Sequence, residues 1–497
     1  MTLKDHATLE GLQHGAVASD HPVCSKVGSD ILQQGGNAVD AAVATVLCLG
    51  VANPASSGLG GGAFMLIHSN RSHFENKDPS DFPEFIDARN KNESERGPMM
   101  TEVIDCREVA PLKASRDLYK GLPNEASAFG PLAIAVPGEL KGMELAHARH
   151  GALAWAEVVA PARKLAQDGV HVGSHLAQDI KGLLTTYYPK YSKYASSGLK
   201  RYLSCSGNAN TCLREGELLK NPALAQTLQQ ISEHGADALY KGEKARTLVK
   251  EVQDAGGILD VDDMERYKAT LRSPVHADVS GYTVVGIPPP SSGGAVVLGA
   301  ALFLAGYRSP LAATADTLSM HRMVEALRHA FSIRMSLSDP LYNTEITKDA
   351  VCDLTRGDYM ESLRKITKDN DTLSLSQYGG EKWAQMTDNY VSQEAKDAHE
   401  GDRSHRLMRE ETSNRRRLAS PFGYLDDNGT THLSVVDKDG NSVAVTSSIN
   451  GIFGSWIFSE TTGVVLGNTM DDFGVPGRSN FFGLKPSKAN FIAPGKK

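Results

Sequence analysis

The stretch NGTTHLSVVDKDGNSVAVTSSIN, residues 428–450, contains two runs in which polar and apolar side chains alternate. Alternation with a period of two is typical of half-buried β-strands, and Asp-Gly-Asn turn formers at 439–441 separate the two runs. The stretch therefore predicts a β-hairpin. Pairing Val436 with Ser442 gathers the apolar side chains of both strands on one face, whereas a slip by one residue mixes the faces.

The same register sets Thr430 directly opposite Ser448 on the polar face, which also carries His432, Ser434 and Thr446. Opposed residues on antiparallel strands have Cβ atoms ~4.5–5.5 Å apart. One hydroxyl of such a pair can therefore hydrogen-bond to the other and orient it.

A threonine hydroxyl is a poor nucleophile until a base takes its proton, and the α-amine of a chain-terminal threonine can be that base. The polar segment that ends in Gly429 is compatible with a cut in the chain just before Thr430. A threonine at the start of a strand is more often structural, so the hairpin alone leaves both interpretations open.

The composition is that of a soluble globular protein: 497 residues, 40% apolar and 22% charged, which argues against disorder or a fibre. A formal charge of −7 gives no electrostatic reason to expect a nucleic-acid partner. The longest uncharged apolar stretch, 293–307, is too short and too glycine-rich to span a membrane. The cysteines have no zinc-site spacing, so we expect no metal, and no motif indicates a cofactor.

Periodicity divides the chain into helical and polar regions. A helical unit follows Asp20, and a glycine-rich segment then leads into a strand at 63–68. The polar stretch 69–102 is typical of a surface insertion, and 136–252 is mostly helical. Residues 355–429 are again polar and charged.

Seven motifs are spread along the chain: GGNAVDAAVA at 35–44, SSGLGGGAFM at 56–65, REVAP at 107–111, VPGELKGMELAH at 136–147, PPPSSGGA at 288–295, GTTHLSVVDKDGN at 429–441 and MDDF at 470–473. Together they resemble the γ-glutamyltranspeptidase (glutathione hydrolase) family of N-terminal-nucleophile (Ntn) hydrolases. The similarity runs from about His14 to Lys497.

The resemblance implies an α+β fold, the αββα four-layer sandwich of Ntn hydrolases, with an extra mostly helical region in the large-subunit part. It implies a proenzyme that cuts itself between Gly429 and Thr430. The large piece (1–429) and the small piece (430–497) would stay associated as a heterodimer. The implied substrates are glutathione and other γ-glutamyl amides, which would form an ester with Thr430. Water or an acceptor amino acid or peptide would then take the γ-glutamyl group.

Residue by residue, the resemblance assigns a role to six side chains. Thr430 would be the nucleophile, and Ser448, where the family usually has a second threonine, would orient it and contact substrate. The other four would hold the α-carboxylate and α-ammonium of the glutamyl group: Arg107, Asn450, Thr469 and Asp472. A guanidinium suits a carboxylate, and a carboxylate suits an ammonium. Thr469 stands where the family usually has Glu or Gln, so we expect a weaker hold on the amino group.

Spacing alone is compatible with free buried cysteines, whereas the resemblance implies disulfides Cys24–Cys48 and Cys205–Cys212. The cysteine pairs and the family suggest an extracellular, cell-surface, secretory or vacuolar location. Sequons at 70, 92, 370 and 428 would allow glycosylation there. The first fifteen residues do not resemble a signal peptide or anchor, so they do not indicate a cellular location.

The resemblance also implies a continuation after Lys497, with serines that bind substrate carboxylate and a Gly-Gly pair that donates to the oxyanion. No Gly-Gly pair lies in 430–497, and loss of one oxyanion donor typically costs ~100–1,000-fold in rate. We therefore expect residues 1–497 alone to be poorly folded or weakly active, and a homologous tail to restore turnover.

Two alternatives stay open. The chain could be a truncated, non-catalytic relative, or an Ntn amidohydrolase of another acyl group, of the cephalosporin-acylase type. Arg107 with Asp472 disfavours the second alternative, because together they suit an amino-acid head group.

Overall fold

A computed structural model describes residues 15–69, 101–199, 213–307, 316–384, 429–478 and 486–497. Its helices are α1 (Pro22–Gln33), α2 (Ala38–Ala52), α3 (Glu139–His150), α4 (Trp155–Asp168), α5 (Ser174–Gly182), α6 (Tyr188–Tyr191), α7 (Pro222–His234), α8 (Asp237–Tyr240), α9 (Gly242–Asp254), α10 (Val261–Arg266), α11 (Gly293–Ala305), α12 (Thr317–Arg334), α13 (Thr344–Leu354) and α14 (Gly357–Ile366). Its strands are β1 (Gly15–Ser19), β2 (Gly62–His68), β3 (Thr101–Cys106), β4 (Val170–His171), β5 (Leu218–Leu219), β6 (Thr270–Arg272), β7 (Val275–Val279), β8 (Tyr282–Gly286), β9 (Thr430–Asp437) and β10 (Ser442–Ser448).

A six-stranded antiparallel sheet forms the centre of the molecule, in the order β1-β9-β10-β2-β3-β6. The hairpin β9–β10 occupies its middle, and its register pairs Val436 with Ser442 and Thr430 with Ser448. The predicted hairpin and register are therefore confirmed. β1 flanks the hairpin on one side and β2 on the other, although both lie more than 360 residues earlier in the chain.

Helices cover one face of this sheet. The alternating apolar residues of the hairpin point to that face and are at most 2% exposed: Leu433, Val435, Val443 and Val445. Helix α1 contacts β1, α2 contacts β9 and β10, and α3 contacts β2 and β3. Helix α2 also contacts α4 and is buried nearly all round, which matches its almost wholly apolar sequence.

A second sheet-and-helix unit follows β6. Hairpin β7–β8 begins three residues after β6 ends, and α11 packs on both of its strands. Helices α12 to α14 complete an apolar cluster that includes Phe303, Ile333 and Trp383. Helices and antiparallel sheets together give the predicted α+β class. In the described part of the chain, no helix combines the length and apolarity needed to cross a membrane.

The single helical unit predicted after Asp20 is in fact two helices. Gly35-Gly36 separates them, and the Asn37 side chain caps α2 by accepting from two of its first backbone N–H groups. A disulfide joins Cys24 in α1 to Cys48 in α2, which confirms that predicted pairing.

The remaining predictions about cysteines and sequons fall mostly outside the described residues. This holds for the Cys205–Cys212 pair and for the sequons at 70, 92 and 428. Asn370 is described and exposed, in the segment after α14.

The polar insertion predicted at 69–102 ends too late by two residues. Strand β3 begins at Thr101, and all six of its residues are buried. Glu102 is charged, which favoured the surface, but Arg149 and His150 hydrogen-bond its carboxylate and make its burial possible. Residues 70–100 lie outside the described part.

Candidate active site

The hydroxyl of Thr430 lies at the exposed start of β9, with Oγ1 3.1 Å from Ser448 Oγ. Ser448 Oγ is also 3.0 Å from the carbonyl oxygen of Gly429 and accepts the backbone N–H of Asn450 at 2.8 Å. A serine hydroxyl has one proton to donate, and a carbonyl oxygen can only accept. Ser448 therefore donates to Gly429, and Thr430 donates to Ser448.

The carbonyl that Ser448 contacts belongs to the Gly429–Thr430 peptide bond. One hydroxyl thus orients the Thr430 side chain and polarises the carbonyl that precedes it. Gly429 has a φ of +87°, and a Cβ at this position would lie 3.1 Å from the Ala55 carbonyl oxygen. Glycine is required here because other residues rarely adopt that φ.

The next residue, Thr431, points to the helix-covered face and is 2% exposed. Its Oγ1 donates to Asp20 Oδ2 at 2.7 Å, and the backbone N–H of His432 donates to the same oxygen at 3.0 Å. Of the two threonines, only Thr430 presents its hydroxyl on the open face.

Arg107 lies at the same end of the sheet as Thr430. The strand order and registers place Thr430, Ser448 and Gly62 side by side, with Arg107 next to Gly62 directly after β3. Strands ~4.8 Å apart separate the Cα atoms of Thr430 and Arg107 by ~14 Å. That span accommodates both side chains and a short acyl group between them.

The Arg107 guanidinium forms an ion pair with Asp472, which ends the short 3-10 helix Thr469–Asp472. Burial lowers the pKa of Arg107, but the charges of Asp472, Glu108 and Asp105 outweigh this effect and raise it above its ordinary value. Two predicted head-group residues from distant parts of the sequence are therefore in contact.

Glu108 places a carboxylate beside Thr469, the position at which the family usually has an acidic or amide residue. Thr469 Oγ1 donates to Glu108 Oε1 at 2.6 Å, and both residues are at most 5% exposed. Burial raises the pKa of Glu108, and the charge of Arg107 opposes that shift. A Cβ on Gly62 would lie 2.2 Å from Glu108 Oε2, so the bare glycine makes room for the carboxylate. Glu108 is not among the predicted site residues, and its signal in the sequence is its place beside Arg107 in REVAP.

Asn450 connects the Thr430–Ser448 pair to the segment that carries Thr469. Its backbone N–H reaches Ser448, and its Nδ2 donates to the Asn468 carbonyl at 3.2 Å, one residue before Thr469. The six predicted site residues thus lie at one end of the sheet, linked by these hydrogen bonds, the Arg107–Asp472 ion pair and the short chain segments 107–108 and 468–472. Among the residues described, no group of three or more His, Cys, Asp or Glu side chains could hold a metal ion.

The family model for γ-glutamyltranspeptidase matches residues 24–81 and 94–497. The chain belongs to this family. Glutathione hydrolase 2 of Arabidopsis thaliana is 36% identical over 487 residues, which cover 97% of this chain and 70% of that protein. The family resemblance found in the sequence is therefore confirmed.

Two solved structures have the same fold. γ-Glutamyltranspeptidase of Helicobacter pylori superposes with a TM-score of 0.63 and 28% identity, over 74% of this chain and 95% of that one. Cephalosporin acylase of Bacillus halodurans superposes with a TM-score of 0.70 and 23% identity, over 97% of this chain and 73% of that one. The second likeness concerns the fold alone. The predicted Ntn-hydrolase fold is confirmed.

Proposed function

We propose that this chain is a γ-glutamyl acyltransferase and hydrolase that cuts itself between Gly429 and Thr430 and then cleaves glutathione and related γ-glutamyl compounds. The observation that carries the proposal is the contact of the Ser448 hydroxyl with both the Thr430 hydroxyl and the Gly429 carbonyl. The substrate class is supported by family membership and by relatives named glutathione hydrolase.

In self-cleavage, Thr430 Oγ1 attacks the Gly429 carbonyl carbon while the hydrogen bond from Ser448 stabilises charge on the carbonyl oxygen. The C–N bond breaks, the nitrogen takes the proton, and Gly429 becomes an ester of Thr430. Water then hydrolyses the ester. The products are a carboxylate on Gly429 and a free hydroxyl and α-amine on Thr430.

The freed α-amine then serves as the base for the same hydroxyl. Oγ1 attacks the γ-carbonyl of glutathione, the γ-amide bond breaks, and the cysteinylglycine amine leaves with the proton. Water or an acceptor amine resolves the γ-glutamyl ester and regenerates the hydroxyl. Arg107 is suited to hold the α-carboxylate, while Asp472 and Glu108 are suited to the α-ammonium.

The two pieces stay together because the small piece provides two central strands of the sheet. β9 pairs with β1 and β10 pairs with β2, both from the large piece. Cleavage at the start of β9 breaks none of these ladders. We therefore propose a heterodimer of residues 1–429 and 430–497, in which the two pieces together form a single fold.

A denaturing gel combined with a glutathione assay tests the proposal. Wild type is expected to give pieces of 429 and 68 residues. Release of glutamate from glutathione is measured with and without a homologous tail, and the tail is expected to raise it. Thr430→Ala is expected to remain one band without activity. Thr431→Ser is the control at the neighbouring residue: it keeps a hydroxyl and is expected to process normally. Processing in Thr430→Ala would contradict the assignment, and an intact, inactive wild type would favour the non-catalytic alternative.

A further inference from the structure

Glu139, the first residue of α3, is a fully buried carboxyl group that the proposed chemistry does not use. Its Oε2 accepts a hydrogen bond from the Ser447 hydroxyl. The backbone N–H groups of Gly138 and Glu139 both donate to the Gly61 carbonyl, at 2.8 and 3.0 Å. Its other oxygen, Oε1, is buried without a hydrogen-bond partner.

These contacts lie next to the Ser448 backbone, on the helix-covered side of the sheet. Ser447 precedes Ser448 on β10 and points to the opposite, helix-covered face. Gly61 packs directly on Ser448, since a Cβ on Gly61 would lie 2.1 Å from the Ser448 carbonyl oxygen. Glu139 therefore contacts Ser447, which precedes Ser448 in the chain, and Gly61, which packs on Ser448.

Glu139 lines a cavity of about 20 Å³. Ser57 also lines it, and the Ser57 hydroxyl is a second buried polar group without a partner. The remaining lining is mainly apolar side chains of α2 and α7 and the segment 463–465. The volume suffices for one water molecule, and two unpartnered polar groups are what an internal water requires.

The surroundings of Glu139 favour its neutral form. Burial and the nearby charge of Glu108 raise the pKa of Glu139 to about 7, although the hydrogen bond from Ser447 and the nearby backbone amide of Gly58 oppose that shift. The other titratable groups that interact with it are the Cys106 thiol of β3 and the Tyr240 phenol of α8. None of these neighbours is basic, so within the described part of the chain no adjacent cation offsets a negative charge on Glu139.

We propose that Glu139 is a positioning residue for the Thr430–Ser448 pair, acting as a neutral carboxylic acid. Oε2 accepts from Ser447, while the Oε1–H group donates to a water molecule in the cavity. Ionisation strengthens the bond from Ser447 but leaves an uncompensated buried charge. The cost of burying that charge exceeds the gain, so the Glu139 side chain shifts and β10 moves with it. This inference rests on the proposed function, because self-cleavage is its kinetic readout.

The test follows self-cleavage of newly translated full-length chain at pH 6 to 8. Glu139→Gln keeps an acceptor for Ser447 and a donor for the cavity but does not ionise. One pH unit above its pKa about a tenth of a carboxyl group is neutral, so the wild-type rate divided by the Glu139→Gln rate should fall about tenfold from pH 6 to 8.

Two further variants separate positioning from packing. Glu139→Ala loses both hydrogen-bonding groups and should be slow at every pH, whereas Glu139→Gln should match wild type at pH 6. Glu325→Gln removes another fully buried carboxylate, in α12, and should follow the wild-type pH profile. A constant wild-type to Glu139→Gln ratio, or normal cleavage by Glu139→Ala, would overturn the inference.

A second measurement does not depend on self-cleavage. Because folding raises the pKa of Glu139, its stabilising effect is present at low pH and is lost as pH rises from about 4.5 to 7. The unfolding free energy of wild type, relative to Glu139→Gln, should fall across that window. Parallel curves would overturn the inference. A chain that shows this difference but never cleaves would refute the proposed function instead.

Discussion

Replacing Ser448 with alanine removes three hydrogen bonds at once. Its hydroxyl donates to the Gly429 carbonyl at 3.0 Å and accepts from Thr430 Oγ1 at 3.1 Å and from the Asn450 N–H at 2.8 Å. The first bond acts on the carbonyl under attack, the second orients the nucleophile, and the third fixes the turn after β10. Self-cleavage and stability should therefore both suffer, to different degrees.

The magnitude of each effect follows from the bond that is lost. Loss of a donor to a carbonyl under attack typically costs ~100–1,000-fold in rate, so Ser448→Ala should cleave itself at least ~100 times more slowly. The half-buried N–H of Asn450 loses its partner, which should lower the unfolding free energy by ~1–2 kcal/mol. Ser448→Thr keeps the hydroxyl and should restore most of the rate.

The assay is a pulse–chase of newly translated chain, with the small piece quantified on a denaturing gel. Ser434→Ala is the matched control, because Ser434 lies on the same open face of the sheet and its hydroxyl contacts the His432 ring, away from Thr430. It should cleave at the wild-type rate. Cleavage of Ser448→Ala at the wild-type rate would refute the geometric reasoning.

Three other perturbations have defined outcomes. Arg107→Lys should weaken binding of γ-glutamyl amides by ~1–3 kcal/mol, because the lysine cannot form a bidentate contact with the α-carboxylate. A substrate without the α-carboxylate should bind wild type and the variant alike. If both enzymes discriminate equally between the two substrates in a competition assay, Arg107 does not contact that group. Burial raises the pKa of Glu102, but hydrogen bonds from its imidazole and guanidinium partners outweigh this effect and lower the pKa to about 2. Wild type should therefore lose roughly 3 kcal/mol of stability relative to Glu102→Gln as pH falls from 4.5 to 2. Parallel acid-unfolding curves for the two proteins would contradict this. The double variant Cys24→Ala/Cys48→Ala opens a loop with a sequence separation of 24 and should lower the unfolding free energy by about 3 kcal/mol in denaturant titrations; an unchanged midpoint would be inconsistent with the disulfide.

The hairpin could be predicted to the residue because, among the described residues, its two strands are covered on one face only. Alternation then fixes the register, since a slip by one residue would turn Leu433 and Val445 out of the core. The same register sets Thr430 opposite Ser448, so the central contact of the site follows from the amino-acid pattern. Local pattern is sufficient there because both partners belong to one hairpin.

The rest of the site depends on contacts between distant segments. Arg107 and Asp472 are 365 residues apart, and Glu139 and Ser447 are 308 apart. The family motifs placed Arg107 and Asp472 in one site, but they could not show that Glu108 lies against Thr469. The polar character of 69–102 likewise led to a wrong prediction for Glu102. Its charge suggests a surface position, but its burial depends on Arg149 and His150 of α3.

The most direct measurement is the mass of the first peptide of the small piece, with and without a brief exposure to glutathione and a rapid acid quench. The proposed function predicts that this piece begins at Thr430. After exposure, a fraction should carry one γ-glutamyl group on that residue, as an ester that is lost at alkaline pH. A small piece that begins elsewhere, or a γ-glutamyl group on a residue other than Thr430, would contradict the assignment of Thr430 as both cleavage residue and nucleophile.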